Sequence, residues 1–221
     1  MSKGRNIRPR LELQSTLVRD DMPFQVVPGL FIGSIYASLN EQGLRQHGIT
    51  HILNASRCPS TFPNSFTYLA IDIRDNSAAN ILSCIPVSNI FIESGMDHGG
   101  VLVHCYGGRS RSAALIAAFL MSSMNLNYDE VLPFIVQARP MTAINGGFQQ
   151  SLRAYGSSGY DVYRAQQVLL KHRLKVLREL RESNLKRILL DNDTKLTSDT
   201  EQDTDREMKI CDRNKRDRSP R

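Results

Sequence analysis

Residues 101–121 read VLVHCYGGRSRSAALIAAFLM, and this stretch decides the fold. It opens with an apolar run, has two adjacent glycines in its middle, and closes with nine small, apolar, helix-prone residues. The pattern predicts a strand, a tight loop and a helix. The N–H groups of such a loop converge at the N-terminus of the following helix, where the backbone attracts an anion.

Cys105 opens this loop and Arg111 follows six positions later. A helix N-terminus favours the thiolate form of a nearby cysteine. A thiolate beside a phosphate-binding loop suggests nucleophilic attack on phosphorus. The alternative interpretation is a buried core cysteine followed by an ordinary turn, which is the usual fate of a lone cysteine. We favour the catalytic interpretation because several fixed residue types coincide between a strand and a helix.

The segment from His104 to Ser112 resembles the His-Cys-x5-Arg-Ser/Thr motif of cysteine-dependent phosphatases, and in detail their dual-specificity branch. Residues 27–34 (VPGLFIGS) and 48–54 (GITHILN) resemble the opening segments of that domain, and residues 145–148 (NGGF) resemble its closing segment. The resemblance implies a small dual-specificity protein phosphatase without an N-terminal kinase-docking domain. Its substrates would carry phosphotyrosine and phosphoserine or phosphothreonine.

The resemblance gives roles to the residues of the motif. Cys105 is expected to be the nucleophile that forms a phosphocysteine, and the planar fork of Arg111 to bind two phosphoryl oxygens. His104 is expected to orient the loop, and Ser112 to hydrogen-bond the cysteine sulfur, or to cap the helix. Arg109 faces either solvent or a second acidic group of the substrate. The expected phosphate-binding positions are Tyr106, Gly107, Gly108, Arg109, Ser110 and Arg111.

The reaction also needs a general acid for the leaving group. Asp75 follows a predicted strand over residues 68–73, in a loop that can reach the pocket, and its surroundings resemble the segment that carries the family's acid. Asp72 is the competitor, although it alternates within that strand. A turn formed by Asp75 and Asn76 is the structural alternative. Asn145 is expected either to brace the loop or to cap a helix.

Strands alternate with helices up to the closing segment, which predicts an α/β fold with a central mixed or parallel sheet flanked by helices, as in cysteine phosphatases. We expect one helix over residues 38–47 and another over residues 80–97, with a kink or a later start near Pro86. Gly156 to Gly159 reads as a linker. The predicted segments are a flexible basic N-terminus (1–21), a catalytic domain (22–155), a linker with a basic amphipathic helix (156–190) and a disordered charged tail (191–221).

The net charge of +6 is unevenly placed: residues 22–155 sum to zero and residues 156–190 to +5. The charge is therefore poor support for a nucleic-acid partner, and we expect none. The four cysteines show neither paired spacing nor a metal pattern, so we expect no cofactor or metal and a reducing compartment. The predicted location is the cytoplasm, with the basic run 213–218 as a weak signal for nuclear import.

Residues 161–190 predict a long helix with an apolar stripe and many basic residues. We favour a helical partner, self-association or docking onto the domain over stable membrane association. The expected partners of the catalytic domain are phosphorylated proteins, with kinases among the candidates. Two other functions stay open: a phosphatase of non-protein esters (phosphoinositide, phosphoglucan or RNA 5′-phosphate) and a phospho-binding scaffold. A scaffold would be expected to lack the nucleophile or the acid.

Overall fold

The computed structural model describes residues 20–188 and shows an α/β fold around a five-stranded sheet. The strand order is β1-β2-β5-β3-β4, and only β1 runs antiparallel to its neighbour. The predicted mixed sheet is therefore confirmed. The strands are β1 (Phe24–Val27), β2 (Leu30–Gly33), β3 (Ile49–Asn54), β4 (Thr67–Ala70) and β5 (Gly100–His104).

Helices lie in the connections from β2 to β3 and from β4 to β5, and further helices follow β5. A 3-10 helix at Ile81–Cys84 leads into α3, so Pro86 lies in the first turn of α3, where its missing N–H costs no hydrogen bond. Residues 162–188 are also helical. The other bounds are α1 (Ile35–Leu39), α2 (Glu41–Gln46), α3 (Ile85–Asp97), α4 (Arg111–Met124), α5 (Tyr128–Ala138) and α6 (Gly146–Ser157).

Apolar side chains cover both faces of the sheet. Phe31, Leu102 and Ile52 are register partners across β2, β5 and β3, and they pack with Leu44 of α2 on one face. Their neighbours along each strand point to the other face. On that face α3 packs against β3 and β5, and α4 packs against β5 and β2. Ten successive residues of α4, from Ser112 to Met121, are buried, so the helix that follows the loop is firmly seated.

Two predicted elements were too long. The helix expected over residues 38–47 is interrupted at Asn40, whose side chain accepts from the Gly43 N–H and begins α2. The strand expected over residues 68–73 ends at Ala70, because β4 lies at the edge of the sheet and the chain turns away there. Asp72 therefore lies in the loop after β4 and not within a strand.

The expected linker is part of the folded domain. Helix α6 continues through Ser157, and the ring of Tyr160 packs edge-on against Tyr155 with centroids 5.6 Å apart. The aromatic contact fixes a segment that its composition marked as flexible. Residues up to Val168 belong to one compact unit, and the helix from Leu169 onward belongs to a second.

The described part of the chain begins with two residues that contact the domain. Asp20 and Asp21, which the sequence placed in the N-terminal segment, contact the domain: the Asp21 carbonyl accepts a hydrogen bond from the Asn40 side chain. The rest of that segment (1–19) and the predicted charged tail (191–221) lie outside the described residues. In the part that is described, no helix is both long and apolar enough to cross a bilayer.

Candidate active site

The loop between β5 and α4, residues 105–110, lies where the parallel strands end, and we call it the phosphate loop. Cys105 directly follows β5 and is almost fully buried. The Tyr106 carbonyl accepts from the Ile35 N–H at 3.0 Å, which ties the loop to α1. Gly108 has φ +62°, and a Cβ there would lie 2.5 Å from the Gly33 carbonyl oxygen. Only glycine fits this position without moving the loop.

Ser112 is next to the cysteine sulfur. Its Oγ lies 3.3 Å from Cys105 Sγ, and both residues are buried. Ser112 belongs to the first turn of α4, which is why it reaches back over the loop. The geometry fits the predicted hydrogen bond to sulfur. The N-cap position of α4 belongs to Ser110, and Ser112 lies within the helix.

Arg111 is held over the loop by carbonyl groups from the segment after β3. Its Nη1 donates to the Ala55 carbonyl at 2.9 Å. That segment is itself fixed, because Asn54 Oδ1 accepts from both the N–H and the hydroxyl of Ser56. The Arg111 side chain is largely buried, and its Nε lies 3.6 Å from Asp75 Oδ2. A planar fork placed in this way suits two oxygens of a phosphoryl group.

Asp75 reaches the phosphate loop and Asp72 does not. Asp75 Oδ1 accepts from Ser110 Oγ and from Asn145 Nδ2, both at 2.8 Å. Its other oxygen, Oδ2, is the one near Arg111. Asp72 instead pairs with Arg57 at 2.6 Å, and its side chain is 84% exposed. Of the two carboxyl groups considered from the sequence, only Asp75 therefore lies at the phosphate loop.

The loop that carries Asp75 rests on the start of α6. A Cβ on Gly147 would lie 2.0 Å from the Ser77 carbonyl oxygen, so the loop and the helix meet backbone to backbone. Asn145 has both of the roles considered from the sequence, with different atoms. Its Oδ1 caps α6 by accepting from the Phe148 N–H, while its Nδ2 donates to Asp75.

His104, at the end of β5, is buried beneath the loop. Burial lowers its pKa from 6.5 to about 4; the backbone of Cys105 opposes this shift and the charge of Arg111 adds to it. The imidazole is therefore neutral near pH 7. A buried neutral ring suits the predicted role of orienting the loop.

Arg109 and Tyr106 lie on the solvent side of the loop. Arg109 Nε donates to the Met141 carbonyl at 3.0 Å, and its own carbonyl accepts from the Ala143 N–H. The Arg109 side chain thus holds the segment between α5 and α6 against the loop. Tyr106 is 58% exposed, so its side chain is open to a substrate.

Arg139 is a residue of the site that the sequence analysis missed. It is 1% exposed and donates to the carbonyls of Gly107 and Gly108, at 2.9 and 2.7 Å. In the sequence, Arg139 and Pro140 indicate only the end of a helix. The pattern carries no sign that the loop carbonyls face this arginine, because that depends on how α5 packs.

No metal site accompanies these residues in the part of the chain from 20 to 188: three His, Cys, Asp or Glu side chains are nowhere grouped as ligands there. The site itself brings together a thiol, a guanidinium and a carboxyl group. This donor set fits the transfer of a phosphoryl group to sulfur.

Comparison with known families agrees with this geometry. Residues 30–158 match the model of the dual specificity phosphatase catalytic domain. The chain belongs to this family. The matched range begins with β2 and includes the phosphate loop, Asp75 and Asn145, so the resemblance noted from the motif is confirmed.

Individual relatives share the domain and differ in length. Mouse dual specificity protein phosphatase 19 is 42% identical over 132 residues, which are 59% of this chain and 60% of the relative. MAP kinase phosphatase with leucine-rich repeats protein 3 of Dictyostelium discoideum is 37% identical over 66% of this chain and only 17% of its own length. The chain thus spans less than two thirds of the curated relatives it matches.

Solved structures give the same fold. The human tyrosine phosphatase-like serine/threonine/tyrosine-interacting protein is 31% identical, with a TM-score of 0.59 over 62% of this chain and 97% of its own. A mouse dual specificity phosphatase complexed with zinc tungstate is also 31% identical, with a TM-score of 0.60 over 66% of this chain and 92% of its own.

Proposed function

We propose that this chain is a cysteine-dependent protein phosphatase that hydrolyses phosphotyrosine and phosphoserine or phosphothreonine through a phosphocysteine. The observation that carries the proposal is the convergence of three groups on one loop. Cys105 lies in the loop, Arg111 begins the helix after it, and Asp75 hydrogen-bonds to Ser110 within it. Nucleophile, anion clamp and proton donor are therefore in one place.

In the first step, the Cys105 thiolate forms a bond to phosphorus as the bond to the ester oxygen breaks. That oxygen leaves with the proton of Asp75 Oδ2, the carboxyl oxygen that accepts from neither Ser110 nor Asn145. Arg111 and the loop N–H groups bind the phosphoryl oxygens, whose charge they stabilise in the transition state. The products are the alcohol or phenol and the phosphocysteine.

In the second step, a water oxygen forms a bond to phosphorus as the sulfur–phosphorus bond breaks. Asp75, now a carboxylate, takes the proton of the water. Ser112 Oγ, 3.3 Å from the sulfur, hydrogen-bonds the departing thiolate. Inorganic phosphate leaves, and both the thiolate and the protonated acid are restored.

The relatives support this function and its substrates. Several carry the names dual specificity protein phosphatase or MAP kinase phosphatase. One solved relative is described as a complex with tungstate, an oxyanion with the shape of phosphate. We extend this activity to this chain, with phosphorylated proteins, kinases among them, as its proposed substrates. A location in the cytoplasm or nucleus is a separate proposal, which rests on the need of Cys105 for a reducing compartment.

A phospho-binding scaffold is the second candidate, because one relative is described as a phosphatase-like interacting protein. Such a protein needs the anion cradle alone. In this chain the nucleophile and the acid are both present and lie beside the cradle, which favours turnover. A phosphatase of lipid, glucan or RNA phosphates would use the same loop, and substrate preference separates it from the proposed function.

We also propose that the helix at residues 162–188 binds a helical segment of another protein. Its exposed leucines include Leu170, Leu174 and Leu177, and it carries eight basic and two acidic residues. Arg181 and Asn184 interrupt the leucine face. Because basic residues flank this face, two copies would repel each other, and a helix with leucines and acidic flanks fits better. Sedimentation of the full chain tests this proposal: a stable dimer at micromolar concentration would contradict it.

The function is tested with the full chain on a panel of phosphate esters in the presence of a chelator. We expect release of phosphate from phosphotyrosine and phosphothreonine peptides, and we expect Cys105→Ser to abolish release while retaining orthovanadate binding. Strict selectivity for phosphotyrosine would contradict dual specificity. Preference for phosphoinositides, phosphoglucans or RNA 5′-phosphates would favour a non-protein substrate, and binding without turnover would favour the scaffold.

A further inference from the structure

Arg139 is a buried cation that lies behind the phosphate loop. Its Nε donates to the Gly108 carbonyl at 2.7 Å and its Nη2 to the Gly107 carbonyl at 2.9 Å. The ring of Phe24 covers the guanidinium, 5.2 Å from its centroid. A buried charge is costly unless it is paired and hydrogen-bonded, so the partner of its third nitrogen matters.

That partner is Asp20, which precedes the first strand. Arg139 Nη1 donates to Asp20 Oδ1 at 2.6 Å, and the side chain of Asp20 is 28% exposed. The Asp20 carbonyl accepts from Ser34 Oγ at 2.9 Å, which fixes the segment where β2 ends. Asp20 lies outside the range 30–158 that the family model matches.

The two loop carbonyls determine where the neighbouring N–H groups point. Every peptide bond of the described residues is trans, and in a trans peptide the C=O and N–H groups point in opposite directions. When the carbonyls of Gly107 and Gly108 face Arg139, the N–H groups of Gly108 and Arg109 face away from it. The charged donor also polarises both peptide groups, which makes these N–H groups stronger donors.

We propose that Asp20 and Arg139 form a clamp that aims the N–H groups of Gly108 and Arg109 at the bound phosphoryl group. Both are positioning residues, since they act through the loop backbone. Asp20 keeps the guanidinium neutralised and in plane with the loop carbonyls. Phosphate affinity therefore depends on a carboxylate in the segment ahead of β1. This inference rests on the proposed function for its substrate, a phosphate monoester.

The test compares Asp20→Ala with Asp129→Ala in the full chain. Asp129 forms an exposed ion pair with Arg153, so its loss removes a carboxylate–guanidinium contact elsewhere on the domain. The readouts are the dissociation constant of orthovanadate, the pH profile of Cys105 alkylation by iodoacetamide, and kcat and KM for an aryl phosphate. We expect Asp20→Ala to weaken orthovanadate binding about tenfold, as the loss of one hydrogen bond to a charged group would, and to move the alkylation profile to higher pH. Asp129→Ala is expected to change neither.

Two further variants sharpen the comparison. Asp20→Glu restores a carboxylate and is expected to recover most of the orthovanadate affinity. Arg139→Lys keeps the charge and loses the fork, and a loss of about 10²-fold in kcat/KM is expected because two donors are misdirected. If Arg139→Lys does not fold, the Asp20 series alone decides.

The clamp is overturned if Asp20→Ala lowers only the melting temperature, or if its orthovanadate affinity and alkylation profile match those of Asp129→Ala. Both of these readouts can be measured without turnover. A chain that hydrolyses no ester would therefore contradict the proposed function, while the orthovanadate and alkylation results would still decide whether the clamp exists.

Discussion

Asn145 Nδ2 and Asp75 Oδ1 lie 2.8 Å apart and form a hydrogen bond between residues that are 70 positions apart in the chain. The same asparagine caps α6 through its Oδ1. One side chain therefore serves both the stability of a helix and the position of the proposed acid, and these two contributions can be separated by experiment.

We predict that Asn145→Ala slows turnover of alkyl phosphates more than turnover of esters with good leaving groups, because it removes one of the two hydrogen bonds that hold the proposed acid. The loss of the cap is also expected to cost about 1 kcal/mol of unfolding free energy. The matched control is Asn127→Ala, which removes the N-cap of another helix, α5. Equal leaving-group dependence in the two variants would show that Asn145 only caps.

Asp75→Asn is expected to lower turnover of alkyl phosphates by about 10²–10⁴-fold, since the amide cannot donate the proton. Esters whose leaving groups need little protonation are expected to lose much less. The control is Asp72→Asn, which removes only the exposed pair with Arg57. Steady-state kinetics over a series of leaving groups provide the measurement, and the assignment fails if Asp72→Asn shows the larger effect.

Gly108→Ala is expected to abolish orthovanadate binding and turnover, because its Cβ would collide with the Gly33 carbonyl. Gly159→Ala provides the control for backbone strain. Gly159 has φ +66°, close to that of Gly108, but nothing lies within 4 Å of its Cβ position. In both variants an alanine must adopt a left-handed backbone conformation, which costs about 1–2 kcal/mol of unfolding free energy. Only Gly108→Ala is expected to lose activity. Activity in Gly108→Ala would disprove the tight approach of the loop to β2.

Acid is expected to destabilise the protein through His104. Its pKa is about 4 when folded and near 6.5 when unfolded, so the unfolded chain binds more protons between these values. The contribution of the neutral His104 ring to the free energy of unfolding is complete above pH 6.5. It falls by about 3 kcal/mol as the pH drops toward 4. Urea unfolding at several pH values measures the slope. We expect His104→Asn to flatten this slope, and an unchanged slope in that variant would contradict the assignment.

Much of the site could be predicted because its residues are close together in sequence. The phosphate loop is continuous, so the chain order alone places Cys105 and Arg111 around one anion. The position of Asp75 could also be predicted, since the end of the strand before it limits where its loop can lie. The family resemblance added roles that spacing alone leaves open.

The rest depended on packing between distant segments. Arg139 contacts the loop only because α5 brings it there, and neither its neighbours nor its spacing shows this. The strand predicted over residues 68–73 was too long because the alternation of apolar residues continues to Ile73. In the structure β4 ends at Ala70, and Ile71 and Ile73 are buried outside the sheet. The segment at Gly156 looked like a linker because its composition does not show that Tyr160 is anchored.

The backbone contact between Ser77 and Gly147 bears on the timing of the reaction. Enzymes that carry the acid on a swinging lid spend part of each cycle waiting for closure. Here Asp75, the proposed acid, is hydrogen-bonded to the phosphate loop in the free protein, so we expect no closure step between one turnover and the next. A higher solvent viscosity, set with sucrose, would then slow only the diffusional encounter with the phosphoprotein and the release of products. The rates of the bond-breaking steps would not change.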